Sequence, residues 1–177
     1  MPQSYILNVG TIEERKNVLV LIRAISRVKQ DINQSVVIIG RSTKYKARIL
    51  EEAQRLGVGA KIIFLHNVSF VDLPAIYQGA DVFVYPSIFE GFGIPIVEAL
   101  ESSVPVIAAT GSCLSEAGGP DSMYVDPGDD AALATQLKNV LTDSALRATM
   151  IAGGKNYIRH FEPAAIAEKL FDIYQKV

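Results

Sequence analysis

Short apolar runs and amphipathic stretches alternate along the whole chain. Residues 5–9, 36–39, 62–65, 82–85, 106–108 and 123–125 are brief, apolar on both alternating sets of positions and bounded by glycine, proline or polar residues. That pattern predicts strands covered on both faces. Between them apolar residues recur at helical spacing. Val18, Leu21, Ile22, Ile25 and Val28 fall on one face of a helix over residues 17–29. Further helices are expected over 44–56, 73–78 (with Asp72 as N-cap) and 94–102 (with Pro95 in the first turn). Beyond the last strand the pattern is helical only. It covers 130–141, then 145–159 with an interruption near Gly153-Gly154, then 164–176 opened by Pro163. The turn Asp126-Pro127-Gly128-Asp129 leads into the first of these, and its aspartates read as caps rather than metal ligands.

Strand and helix in regular alternation imply βαβ units. The expected fold is α/β: one doubly wound, mostly parallel, Rossmann-like sheet of about six strands with helices on both faces. A single domain over residues 1–177 is the economical reading. The final helix carries an apolar stripe of Ile166, Leu170, Ile173 and Tyr174, widened by Ala167 and Phe171. It is expected to fold back on the domain, to pair with another copy, or to be loosely held.

Composition narrows the function classes. Of 177 residues, 49% are apolar and 20% charged, which suits a chain able to bury a proper core. A net charge of −2 supplies no global basic field and argues against nucleic acid as a partner. Cys113 is the one cysteine, so no intrachain disulfide can form, and a reducing compartment fits. With no charged-then-apolar leader and no apolar run of membrane-spanning length, the expected location is cytoplasmic.

Candidate chemistry sits in the loops that follow the apolar runs. Glu90-Gly91-Phe92-Gly93-Ile94-Pro95-Ile96-Val97-Glu98 places two carboxylates around a glycine-bearing loop and a helix start. In an open α/β sheet such loops lie where ligands bind, and carboxylates suit hydroxyl-rich ligands because their oxygens accept strongly. Glu90 is expected in the loop and Glu98 in the first turn of the helix. After the first strand, Gly10 and Thr11 lead to Arg15 and Lys16 at a helix N-terminus, a place that attracts phosphate. Gly40 follows the second strand, and His66, Asn67 and Val68 follow the third. Thr110, Gly111 and Ser112 follow the fifth. His66 is expected at a rim or in a structural role, His160 as structural, and Cys113, which has no base beside it, is not expected to be a nucleophile.

These residues resemble a family. The Glu90-to-Glu98 segment, the phrase Tyr85-Pro86-Ser87-Ile88-Phe89-Glu90-Gly91-Phe92-Gly93 and the downstream Pro105-Val106-Ile107-Ala108 are similar to the E-x7-E region of family 4 retaining glycosyltransferases, which have the GT-B fold. The resemblance implies a donor-binding C-terminal domain for a nucleoside diphosphate sugar. It implies that Glu90 contacts the donor sugar and Glu98 the ribose. By the same resemblance Lys16 contacts the diphosphate, and Glu90 and Lys16 form the catalytic pair. Arg15, Gly10, Thr11, Gly40, Val68, Gly91, Phe92, Gly93 and Ile94 are then the remaining donor-binding positions, with Val68 framing the base. Thr11 stands where the family commonly has arginine, and Arg15 is the expected substitute. No cofactor and no metal are expected, because GT-B enzymes do not depend on metal as D-x-D transferases do. The acceptor would bind an N-terminal domain absent from this chain, which alone is expected to be inactive. A sugar or glycolipid acceptor fits, with the intact enzyme either free in the cytoplasm or peripheral to a membrane.

Two other classes stand beside this reading. A dehydrogenase nucleotide domain needs G-x-G-x-x-G after the first strand and an acid near the end of the second. The chain offers only Gly10 and Gly40-Arg41 there. A non-catalytic or regulatory nucleotide-sugar-binding module of the same fold remains as the alternative. Zinc-ligand spacings, a G-x-S-x-G elbow and a P-loop are all missing.

Overall fold

The computed structural model describes residues 1–175. Six strands form one sheet: β1 (Tyr5–Val9), β2 (Ser35–Ile39), β3 (Ile62–Leu65), β4 (Val82–Tyr85), β5 (Val106–Ala109) and β6 (Met123–Val125). Their spatial order is β3-β2-β1-β4-β5-β6, and every neighbouring pair is parallel. This is the doubly wound arrangement, and the strand order reverses between β1 and β4. The loops after these two strands therefore face a common crevice.

Period-two alternation along the strands explains why both faces are covered. Ile6, Val36, Ile38, Val82, Val84 and Ile107 point to one layer. Tyr5, Leu7, Val37, Ile39, Phe83, Tyr85, Val106 and Ala108 point to the other. The first layer is closed by α1 (Val18–Val28), α2 (Tyr45–Arg55) and α6 (Asp130–Thr142). The second is closed by α3 (Leu73–Gln78), α4 (Ile94–Glu101) and α5 (Leu114–Gly118). On α1 the expected stripe is buried, and each such aliphatic side chain contributes roughly 1.5–3 kcal/mol relative to an exposed one. α7 (Ser144–Ile158) spans the edge, sending Met150 to the first layer and Tyr157 to the second.

Four expectations need correction. α7 runs unbroken through Gly153 and Gly154, because the glycines serve packing rather than a break. A Cβ on Gly154 would lie 2.7 Å from the Leu100 side chain, and one on Gly153 would lie 2.2 Å from Asp121. The small residues let α7 settle against α4. Asp72 stands at the N-cap of α3, but its side chain caps no amide. Glu98 lies beyond the first turn of α4, which starts at Ile94 and has no acidic residue in that turn. The expected helices do not include α5, whose five residues are too few to show a period.

Other local details hold. Asp129 accepts from the amides of Ala131 and Ala132 and caps α6, and Asp126 accepts from Gly128 N–H. α8 (Pro163–Tyr174) does not fold back on the sheet. Ile166, Leu170, Phe171, Ile173 and Tyr174 stay exposed along it. Lys176, the expected last residue of this helix, lies outside the described residues. Among the described residues no helix is long and apolar enough to cross a membrane.

Candidate functional site at the β1/β4 crevice

The loop after β1 approaches the loop after β2 as closely as two backbones can. A Cβ on Gly40 would sit 1.9 Å from the carbonyl oxygen of Gly10, so only glycine fits at residue 40. The amide of Gly10 donates to Ile39 and that of Ile12 to Arg41, which fixes this pair of loops. His66 extends the line: its Nδ1–H donates to the carbonyl of Gly40 at 2.7 Å, and Lys46 Nζ donates to Nε2 at 2.9 Å. His66 thus ties Lys46 to the loop after β2. His160 Nδ1 bonds only the carbonyl of Tyr157, which is a structural role.

The chain then makes a 3-10 turn over Glu14–Lys16 and passes through Asn17, at φ 55°, into α1. This turn sends Lys16 inward, 9% exposed. Its Nζ donates to the Tyr85 hydroxyl at 2.6 Å and to Glu90 Oε1 at 2.5 Å. It also lies 4.9 Å from the centre of the Tyr85 ring. Arg15, on the same turn, is the more exposed of the two cations and converges on the same carboxylate. Its Nη1 reaches Glu90 Oε1 and the carbonyl of Phe89, and its Nε pairs with Glu13.

Glu90 is therefore a hub. Oε1 alone accepts from Lys16, from Arg15 at 2.9 Å, from Ser87 Oγ at 2.6 Å and from Tyr85 at 3.1 Å. Burial pushes its carboxyl up, but the hydrogen bonds from Lys16, Ser87 and Arg15 outweigh this and hold it below the ordinary carboxylate value. Its main chain is also held: Ser112 Oγ donates to the Glu90 carbonyl at 2.7 Å, and Cys113 Sγ does so at 3.2 Å. Ser112 and Cys113 thus anchor the motif loop. Arg15 and the β4 loop are stitched through the carbonyl of Arg15, which accepts from Ile88 N–H at 2.8 Å.

Glu98 stands apart from this cluster. On α4 its Oε2 accepts from the Tyr77 hydroxyl at 2.8 Å. It lines the cleft between α3 and α4. Gly93, at φ 114°, turns the chain into α4; no side chain caps that helix, Pro95 has no N–H, and the Ile96 amide donates to the Gly93 carbonyl at 2.8 Å. Of the other expected positions, Thr11 and Val68 are half-buried and Gly91 is exposed. Phe92 packs edge-on against Phe161 with centroids 5.5 Å apart. Ile94 is 64% exposed at the crevice-facing start of α4. The residues not singled out from the sequence are Tyr77, Tyr85 and Ser87. Two of these lie in the quoted motif phrase, but their roles show only when β1 and β4 are side by side.

A family model described as glycosyl transferases group 1 matches residues 1–157. The chain belongs to the group 1 glycosyltransferases. It is 32% identical to O-antigen chain mannosyltransferase B of Escherichia coli, over 90% of this chain and 42% of that protein. Sucrose-phosphate synthase from Thermosynechococcus elongatus shares the fold at a TM-score of 0.86 and 26% identity, covering 99% of this chain and 46% of that one. The chain thus spans less than half of these larger proteins. A solved C-terminal domain of a group 1 family protein, LpcC from Francisella tularensis, aligns differently. There the match covers 88% of this chain and 84% of that domain, with a TM-score of 0.78 and 26% identity. The chain is a C-terminal domain of a group 1 glycosyltransferase, one Rossmann-like half of a GT-B architecture.

Proposed function

We propose that this domain binds the nucleoside diphosphate sugar of a retaining glycosyltransferase, whose acceptor binds a second, N-terminal domain. The observation that carries the reading is the meeting of Lys16, Arg15 and Glu90 at the point where the strand order reverses. Two cations and the uncapped N-terminus of α4 suit a diphosphate, whose charge they neutralise without a metal. Glu90, with Oε1 occupied by protein donors, offers Oε2 to hydroxyls of the sugar. Glu98, on the regular backbone of α4, takes the ribose. In transfer, the acceptor hydroxyl forms the new bond to the anomeric carbon as the bond to the diphosphate breaks. The leaving phosphate oxygen takes the proton, with Lys16 and Arg15 stabilising its charge. The mannosyltransferase name of the E. coli relative favours a hexose donor.

The test is a melting and calorimetry screen of uridine, guanosine and adenosine diphosphates and their sugars. One nucleoside diphosphate should raise the melting temperature and bind. EDTA should leave that binding unchanged, and Lys16→Ala should weaken it strongly while sparing the bare nucleoside. The chain alone should transfer no sugar. Binding that ignores Lys16→Ala, or that requires magnesium or manganese, would contradict the reading.

A further inference from the structure

Tyr77 sits on the six-residue helix α3 and is 1% exposed. Its ring opens an aromatic column across one face of the sheet: its centroid is 5.5 Å from that of Phe83, which lies 5.8 Å from that of Tyr85. The two ends of the column carry hydroxyls, and each bonds a different glutamate of the motif. Tyr85 donates to Glu90, and Tyr77 donates to Glu98 Oε2 at 2.8 Å. Burial, and then the charge of Glu98, pushes the Tyr77 phenol far up, so it stays a protonated donor wherever the domain is folded.

A buried phenol needs a partner, but that partner need not be a carboxylate. Tyr5, buried in the same layer, donates to the carbonyl of Ile76. Tyr77 is instead directed at Glu98, which accepts no other side-chain hydrogen bond among the described residues. A glutamate with a free side chain samples several rotamers. The Tyr77 hydroxyl holds this one, and both residues line the cleft between α3 and α4.

We propose that Tyr77 is a positioning residue for ribose recognition: its hydroxyl occupies Oε2 of Glu98 and leaves Oε1 for the ribose hydroxyls. The inference rests on the reading of Glu98 as the ribose carboxylate. The experiment compares binding of the preferred nucleoside diphosphate with that of its 2′,3′-dideoxy analogue. The wild type should favour the ribose form, and Glu98→Ala should erase that preference. Tyr77→Phe, which retains every ring contact, should shrink the preference by roughly three- to tenfold, the worth of one hydrogen bond. A purely structural role would lower the melting temperature and weaken both ligands equally, leaving their ratio untouched. That result overturns the proposal. Adding Tyr77→Phe to Glu98→Ala should change the ratio no further, and a further change would also overturn it. If Glu98→Ala itself leaves the preference intact, the reading of Glu98 fails, whatever Tyr77→Phe does.

Discussion

The two glutamates of one motif live in opposite surroundings. Glu90 is in a loop, and one of its oxygens accepts from two cations and two hydroxyls. Glu98 is on a helix and accepts from a single neutral phenol. The loop carboxylate is tied to the groups that would meet a diphosphate, so a bound diphosphate would compete with it for Lys16 and Arg15. Among the described residues the helix carboxylate has no cation to share. Chemically similar residues thus acquire different surroundings: one belongs to a charge network, the other to a single hydrogen bond from a phenol.

Truncation should expose this difference most strongly in stability. Glu90→Ala leaves Lys16 nearly buried without its carboxylate, and breaking such a pair costs about 3 kcal/mol at the lower end of the buried range. Glu98→Ala strands only the Tyr77 hydroxyl, at a cost of about 1–2 kcal/mol. Chemical denaturation of the two variants checks the order, and a larger loss for Glu98→Ala would break the comparison. Ser87→Ala removes one of the four donors to Glu90 and should cost about 1 kcal/mol by the same measurement.

Acid should separate them next. Glu90 has a lower carboxyl value folded than unfolded, so its contribution is present above the unfolded value and lost as pH falls through the folded one. Glu52, held by Arg55 and Arg23 at about 2, loses stability in the same direction, so the wild-type curve alone decides nothing. The difference between wild type and Glu90→Gln should be flat near neutrality and shrink below about pH 4.5. A difference that grows as pH falls would show that Glu90 is not held ionised.

Much of the fold was legible in the sequence because its strands are apolar on both faces and its longer helices carry a clear stripe. The site was legible to the extent that the loops after β1 and β4 hold its charged residues. What escaped were the contacts made across large sequence separations. Tyr85 and Ser87 serve Glu90 because β4 lies beside β1, and Tyr77 serves Glu98 because α3 packs on α4. No local pattern encodes such pairings. The expected break in α7 failed for a similar reason: Gly153 and Gly154 answer to Asp121 and Leu100, not to the helix they sit in.

The division of labour is tested most directly by calorimetry of one nucleoside diphosphate and its sugar nucleotide against Glu90→Ala and Glu98→Ala. Glu98→Ala should weaken both ligands about ten- to a hundredfold, the worth of one charge-assisted hydrogen bond. Glu90→Ala should weaken only the sugar nucleotide, and the bare diphosphate, relieved of a competitor for Lys16 and Arg15, should bind as well as before or better. Equal losses of bare diphosphate affinity in the two variants would contradict the account.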